Sequence, residues 1–277
     1  MPVVRLADGT TVAALGLGTW RMGQTARRRA QEIAALRAGI DAGMTLVDTA
    51  EMYGDGGAED VLGEAIDGRR DDVFVVSKVY PHNGDARRAI AACERSLRRL
   101  RTDRLDLYLL HWRGRIPLAE TVAAFERLRR DGKIVRWGVS NFDIADVDEL
   151  LALPDGANCA VNQVLYHVAE RGIEWSLLPL CRRHSIRVMA YSPVAEGRLL
   201  HDAAVLRIAR AAGITPAQLA LAWLLRHDDV ISIPQTSSVA HVLDNRAATA
   251  VSLSPTTLAE IDAAFPPPKG ASRLAVI

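Results

Sequence analysis

Eight short, strongly apolar runs recur along this chain, and stretches of helical periodicity separate them; no other feature constrains the fold as much. The runs are Leu15–Gly18, Thr45–Asp48, Val73–Lys78, Asp106–His111, Ile134–Ser140, Ala160–Val164, Arg187–Tyr191 and Val230–Ile233. Several are apolar continuously rather than alternately, as strands covered on both faces should be. Strands separated by helices imply a parallel sheet with right-handed crossovers. Eight strands suit closure into a (β/α)8 TIM barrel, with a doubly wound open sheet as the alternative. The 277 residues agree with the barrel, for which about 250 is typical, and residues 1–277 are read as a single domain.

Local signals complete this outline. Asp8-Gly9 lies between the β-prone runs Val3–Leu6 and Thr11–Ala13 and predicts an N-terminal β-hairpin. Thr215-Pro216-Ala217-Gln218 combines an N-cap, a proline at the first helical position and a capping-box glutamine, a strong helix start. Two helical patterns, Ala203–Ala212 and Pro216–His227, fill the long interval before the last run and predict a longer loop or an extra helix there. Pro266-Pro267-Pro268 makes the tail from Phe265 to Ile277 extended, either lying over the barrel or disordered.

The formal net charge of +1 lacks the basic excess of a nucleic-acid partner. The arginine runs Arg27–Arg29 and Arg95–Arg104 are read as solvated helix faces. Cys93, Cys159 and Cys181 are odd in number and fit no metal spacing, so no metal is expected and a reducing, cytoplasmic setting is. The N-terminal residues lack the apolar region of a signal peptide, and no run approaches a membrane span. No heptad seam stands out, and a monomer is the default expectation.

Active sites of such barrels lie at the C-terminal strand ends. The second run ends in Asp48, with Tyr53 in the following loop; the third ends in Lys78 and the fourth in His111. A carboxylate and a lysine at the ends of apolar strands are costly unless paired, and Asp48 with Lys78 is the obvious pair. A lysine near a tyrosine favours the phenolate and lowers the phenol's pKa, which suits a proton donor. Singly, each residue has an ordinary reading: Asp48 as a helix cap, Tyr53 as loop cover, Lys78 snorkelling to solvent, His111 as a core histidine. Together they point to an acid/base site, without specifying a redox reaction.

The chain resembles the aldo-keto reductases in Gly16-Leu17-Gly18-Thr19-Trp20, Val47-Asp48-Thr49-Ala50-Glu51-Met52-Tyr53-Gly54, Ser77-Lys78, Tyr108-Leu109-Leu110-His111-Trp112, Gly138-Val139-Ser140-Asn141-Phe142, Asn162-Gln163 and Tyr191-Ser192-Pro193. Each segment is weak alone; the ordered set is specific. The segments around Asp48 to Gly57 and Val161 to Tyr166 look most like bacterial methylglyoxal-reductase-type members. The resemblance implies reduction of an aldehyde or ketone with NADPH, of the alcohol dehydrogenase (NADP+) type. Tyr53 would be the general acid, Lys78 held by Asp48 would tune it, and His111 would orient the carbonyl oxygen.

The resemblance also implies a cofactor site. Gly18, Thr19, Trp20 and Asp48 would border it, and Ser140, Asn141 and Gln163 would hold the nicotinamide carboxamide. Tyr191 would stack on the ring, and the segment from Ser192 and Pro193 through Gly197 to Leu199 would contact the pyrophosphate. Pro234, Gln235, Thr236, Ser237, Ser238 and His241 would face the adenosine end, with Asp244 and Asn245 at the adenine. The family often has lysine where Gln235 stands and arginine where His241 stands. Losing two charge-assisted contacts weakens the preference for NADPH and leaves NADH as a second cofactor. Trp20, Met52 and Trp112 would wall a pocket for small aldehydes, 2-oxoaldehydes such as methylglyoxal included, beside Tyr53 and His111. Two other readings stay open: a Schiff-base lyase with Lys78 as nucleophile, and a non-catalytic NADPH-binding sensor subunit.

Overall fold

The computed structural model describes residues 1–277. Strands β1 (Val3–Arg5) and β2 (Thr11–Ala13) form the expected antiparallel hairpin, with Val4 opposite Val12. Gly9 takes a φ of +88° at its turn, and Asp8 accepts a hydrogen bond from the Thr10 N–H at 2.9 Å.

Eight parallel strands follow: β3 (Leu17–Gly18), β4 (Leu46–Asp48), β5 (Phe74–Val79), β6 (Leu105–Leu110), β7 (Ile134–Ser140), β8 (Cys159–Leu165), β9 (Arg187–Tyr191) and β10 (Val230–Ser232). Their spatial order is their sequence order. The two edges meet through isolated parallel bridges, Leu15 with Ser232 and Gly18 with Gln235, so the sheet closes into the (β/α)8 barrel. Glycine is required at this seam: a Cβ on Gly18 would lie 2.9 Å from the Ile233 carbonyl oxygen. Each strand lies within two residues of its sequence-level bounds. Lys78 is followed by one further strand residue, Val79, and His111 sits just past the end of β6.

The crossover helices are α1 (Arg29–Asp41), α2 (Gly57–Ala65), α3 (Ala86–Leu100), α4 (Leu118–Arg130), α5 (Ile144–Leu151) and α6 (Leu177–Arg183). Then come α7 (Ala203–Ala212), the extra helix, α8 (Pro216–Leu225), α9 (Val239–Ala247) and α10 (Pro255–Ala264). Asp85 caps α3, Asp143 caps α5 through a capping box with Asp146, and Thr215 caps α8 through one with Gln218. No single helix is long and apolar enough to cross a membrane. The tail beyond Phe265 has neither helix nor strand; Leu274 packs on the core and Ile277 reaches the main cavity, so the tail lies on the barrel.

Two apolar clusters divide the interior. The larger joins the outward faces of the strands to the helices. The smaller fills the barrel with Leu46, Val76, Leu107, Leu109, Val161, Met189 and Ile231, and the hairpin residues Val4, Leu6 and Val12 join it. Side chains alternate faces along a strand, so the inward positions after these apolar residues are Asp48, Lys78, His111, Gln163 and Tyr191. The pleat that fills the barrel thus also aims polar groups at its mouth.

Arg27, Arg28, Arg98 and Arg101 are exposed, as a solvated face requires, whereas Arg29, Arg95 and Arg99 are partly drawn in by acids. Arg29 pairs with Glu64 at 2.9 Å, Arg99 with the fully buried Glu59 at 2.6 Å, and Arg95 with the buried Glu51 at 3.4 Å. Acids on neighbouring elements, invisible to a helical-face reading, draw these guanidinium groups inward. Cys93, Cys159 and Cys181 are buried and unpaired.

Candidate active site

Strand ends β4 and β5 bring Asp48 and Lys78 together. The Lys78 ammonium donates to Asp48 Oδ2 at 2.7 Å, to the Thr49 carbonyl at 2.9 Å and to Tyr53 Oη at 3.2 Å. Lys78 has no exposed surface and Asp48 almost none, so the pair is dry. Tyr53 opens a short 3-10 turn, Tyr53–Gly56, just past β4. The rings of Tyr53 and His111 meet edge to face at 5.7 Å. Snorkelling of Lys78 to solvent is therefore overturned: its three acceptors hold it inside. It also does not line the cavity, which leaves the Schiff-base reading without an accessible amine.

The electrostatics correct one expectation. Burial, with the Asp48 carboxylate adding to it, pushes the Tyr53 phenol well above its ordinary range. Lys78 does not reverse this, because Asp48 neutralises its charge 2.7 Å away. The protonated phenol, the form able to donate, is thus the resting state. Burial lowers Lys78 despite its partner, and raises Asp48. His111 falls to about 2 through burial and the nearby Lys78 charge, so its imidazole is neutral.

A cavity of about 710 Å³ runs from this cluster along the barrel mouth. Asp48, Tyr53 and His111 border one end, with Trp20, Met52 and Trp112 as a partly exposed apolar wall. Ser140, Asn141, Gln163 and Tyr191 line its middle. Tyr191 donates to Asn141 Oδ1 at 2.9 Å, Ser140 donates to the Gln163 carbonyl at 2.9 Å, and the Gln163 amide donates to Asp48 Oδ1 at 2.8 Å. Gly18, Ser192, Pro193 and Gly197 line it as well, followed by Pro234, Gln235, Thr236, His241, Asp244 and Asn245.

Five expected cofactor contacts sit differently. Thr19 is fully buried beside Gly18 and Trp20, with its hydroxyl unpartnered. Leu199 turns into the core and Leu200 lines the cavity instead, because the kinked turn Ala195–His201 reverses their faces. Ser238 caps α9 through the His241 N–H, and Ser237 also lies off the cavity wall. Asp244 lines the wall, but its two oxygens accept from Thr215 at 2.9 Å and Gln218 at 2.7 Å.

Sequence reasoning missed several lining residues. Arg21 and Glu196 form an ion pair at 3.1 Å between the loops after β3 and β9, and both take positive φ. Arg21 is the one lysine or arginine on the cavity wall. Thr215, Pro216 and Ala217 were legible only as a helix start, and Ile233 and Ile277 carried no site signal; Val194 and Glu196 lie within the Ser192–Leu199 segment expected to contact the cofactor.

These features fit a nicotinamide dinucleotide. The cavity lies in the usual range of about 300–1,000 Å³ for ligand sites. His111, whose buried Nδ1 has no partner, borders it. Gly197 takes a φ of +94° and has open space where a Cβ would be, which leaves bare backbone for a ligand to approach.

A sequence model of the aldo/keto reductase family matches residues 14–265. The chain is 54% identical over 280 residues to methylglyoxal reductase YeaE of Escherichia coli, covering 99% of both chains. It is 32% identical over 263 residues to glyoxal reductase of Bacillus subtilis, covering 94% of this chain and 91% of the relative. An aldo-keto reductase from Klebsiella pneumoniae in complex with NADPH superposes with a TM-score of 0.97 at 54% identity, over 100% of this chain and 99% of the other. The TM-score and identity are the same for an aldo/keto reductase of that organism in complex with NADP and acetate, over 99% of each chain.

Proposed function

This chain belongs to the aldo/keto reductase family, and we propose that it reduces small aldehydes and ketones, methylglyoxal among them, to alcohols with NADPH. The contact of Tyr53 Oη with Lys78 Nζ at 3.2 Å, at the floor of a cavity able to take a dinucleotide, carries the assignment of roles. NADPH, when bound, supplies the hydride that reaches the carbonyl carbon. Tyr53 gives its phenolic proton to the carbonyl oxygen, and the alcohol forms; solvent later returns the proton to the phenolate. The Lys78 ammonium stabilises that transient phenolate, and Asp48 holds the ammonium at the phenol oxygen. Neutral His111 donates to the carbonyl oxygen and orients it. Ser140, Asn141 and Gln163 would hold the carboxamide, Tyr191 would pack on the nicotinamide, and Gln235 and His241 would serve the adenosine end. Trp20, Met52 and Trp112 take the apolar part of the substrate.

The same reading has a single barrel domain acting as a soluble cytoplasmic monomer, free of membrane and nucleic acid; three unpaired cysteines are at home in such a reducing compartment. Nicotinamide absorbance with methylglyoxal tests the reading: wild type should oxidise NADPH and Tyr53→Phe should not. No oxidation by wild type over a panel of small aldehydes would favour the sensor reading.

A further inference from the structure

The loop that carries Tyr53 leaves the sheet immediately after β4, yet Tyr53 must stay within hydrogen-bond reach of Lys78 on β5. The hydrogen bonds show how. The Thr49 N–H donates to the Val76 carbonyl at 2.8 Å and the Glu51 N–H to the Lys78 carbonyl at 3.4 Å, so the parallel ladder continues past the strand end. In a parallel ladder donors and acceptors alternate at even spacing. The next rung would therefore run from the Tyr80 N–H to the Glu51 carbonyl. Instead, the Tyr80 N–H donates to the Glu51 carboxylate, at Oε1, over 2.9 Å. The side chain supplies the rung that the main chain gives up when it turns toward Tyr53.

We propose that Glu51 is a positioning residue for the reduction: its carboxylate replaces a ladder rung and thereby holds the Tyr53 turn against the strand that carries Lys78. The inference rests on Tyr53 being the proton donor. Three further features fit it. The Glu51 side chain is buried, so the rung is shielded from water. Asn83 Nδ2 donates to the same oxygen at 3.1 Å, and Arg95 donates to Oε2 at 3.4 Å, which fixes the carboxylate from both sides. Glu51 and Tyr80 lie two residues beyond Thr49 and Lys78 and so clamp the contact from outside.

Amide and proline substitutions separate this role from charge and from general packing. Glu51→Gln keeps an oxygen acceptor for the rung; Glu51→Ala does not. Tyr80→Pro deletes the donor, and the Tyr80 φ of −59° is one that proline adopts. Tyr80→Ala keeps the N–H and controls for the lost ring. Steady-state reduction with NADPH, thermal unfolding and NADPH fluorescence titration are measured for all four. Glu51→Ala should lose kcat by about 10- to 100-fold, the cost of a small misplacement, with KM and NADPH affinity within about twofold of wild type. Glu51→Gln should recover most of the loss, and Tyr80→Pro should lose kcat relative to Tyr80→Ala. If Glu51→Ala fails to fold, the Tyr80 pair decides alone. Wild-type kcat in Glu51→Ala, or equal kcat in Tyr80→Pro and Tyr80→Ala, overturns the proposal; so does a Glu51→Gln as impaired as Glu51→Ala. Absence of turnover in wild type, or full turnover in Tyr53→Phe, would instead overturn the proton-donor reading beneath it.

Discussion

Gln163 and Asp48 share a hydrogen bond across the barrel mouth: the amide Nε2 of one donates to Oδ1 of the other at 2.8 Å. Asp48 Oδ2 meanwhile accepts from Lys78, so one carboxylate joins the Lys78–Tyr53 end of the site to Gln163 in the middle of the cavity. The bond also decides how the Gln163 amide faces. With its nitrogen turned to Asp48, its oxygen is left as the acceptor for a ligand donor.

Gln163→Leu removes that acceptor and one donor to Asp48. The NADPH dissociation constant, read by fluorescence titration, should rise about tenfold, equivalent to about 1.4 kcal/mol. An unchanged constant would mean that the carboxamide is held elsewhere.

Lys78→Met strands the Asp48 carboxylate in a dry pocket. Breaking a buried pair from one side costs about 3–5 kcal/mol, and urea unfolding should show a loss of that order. Adding Asp48→Asn removes the unpaired charge and should return most of the stability. Reduction should stay at least about 100-fold down in both variants, because the ammonium that supports the phenolate is missing.

The raised Tyr53 pKa sets the pH profile. A donor that titrates well above its ordinary range stays protonated through neutral and mildly alkaline solution. The kcat for reduction should therefore be flat between about pH 6 and pH 9, since ionisation of an unperturbed tyrosine begins to matter only near 10. A fall centred near pH 7 would show that another group titrates in the rate-limiting step.

Three histidines predict acid lability. Burial lowers His111 to about 2 and, aided by nearby arginines, lowers His167 and His227 to about 4. Each folded-state value lies below the unfolded one of about 6.5, so the unfolded chain takes up the proton first. Stability should be fully present above about pH 6.5 and fall as pH drops toward 4, by roughly 1–2 kcal/mol per group at pH 5. Thermal unfolding at pH 7 and pH 5 checks this. For His227 the geometry agrees: Arg182 can only donate to its Nδ1, at 3.2 Å, and a second proton there would break the contact.

Cofactor choice should respond to charge at the adenosine end. Gln235 and His241 line the cavity without a fixed cation beside them. Gln235→Lys and His241→Arg should each raise the NADPH-to-NADH ratio of kcat/KM by about tenfold, the worth of one charge-assisted contact of about 1.4 kcal/mol. An unmoved ratio would place the 2′-phosphate away from both positions.

The sequence by itself determined eight strands alternating with helices, because apolar runs, helix stops and caps are local signals; closure into a barrel rather than an open sheet was decided by the bridges of Leu15 with Ser232 and Gly18 with Gln235. The runs ending near Asp48, Lys78 and His111 were legible for the same reason: a polar residue closing an apolar run stands out without any tertiary knowledge. Thr215 and Gln218 were equally legible as a capping box, since both partners lie within one turn.

Only the tertiary structure decided what those residues do to one another. The direction of the Tyr53 shift depends on how far Asp48 cancels Lys78, a balance of distances between separate strands. The Arg21–Glu196 pair spans 175 positions, and Ile277 reaches the cavity from the far end of the chain. Glu51 reads in sequence as one more polar loop residue, and only the register between β4 and β5 turns its carboxylate into a rung. Periodicity reports which face a residue takes on its own element, whereas charge compensation and register are set by neighbours that meet only after the barrel closes.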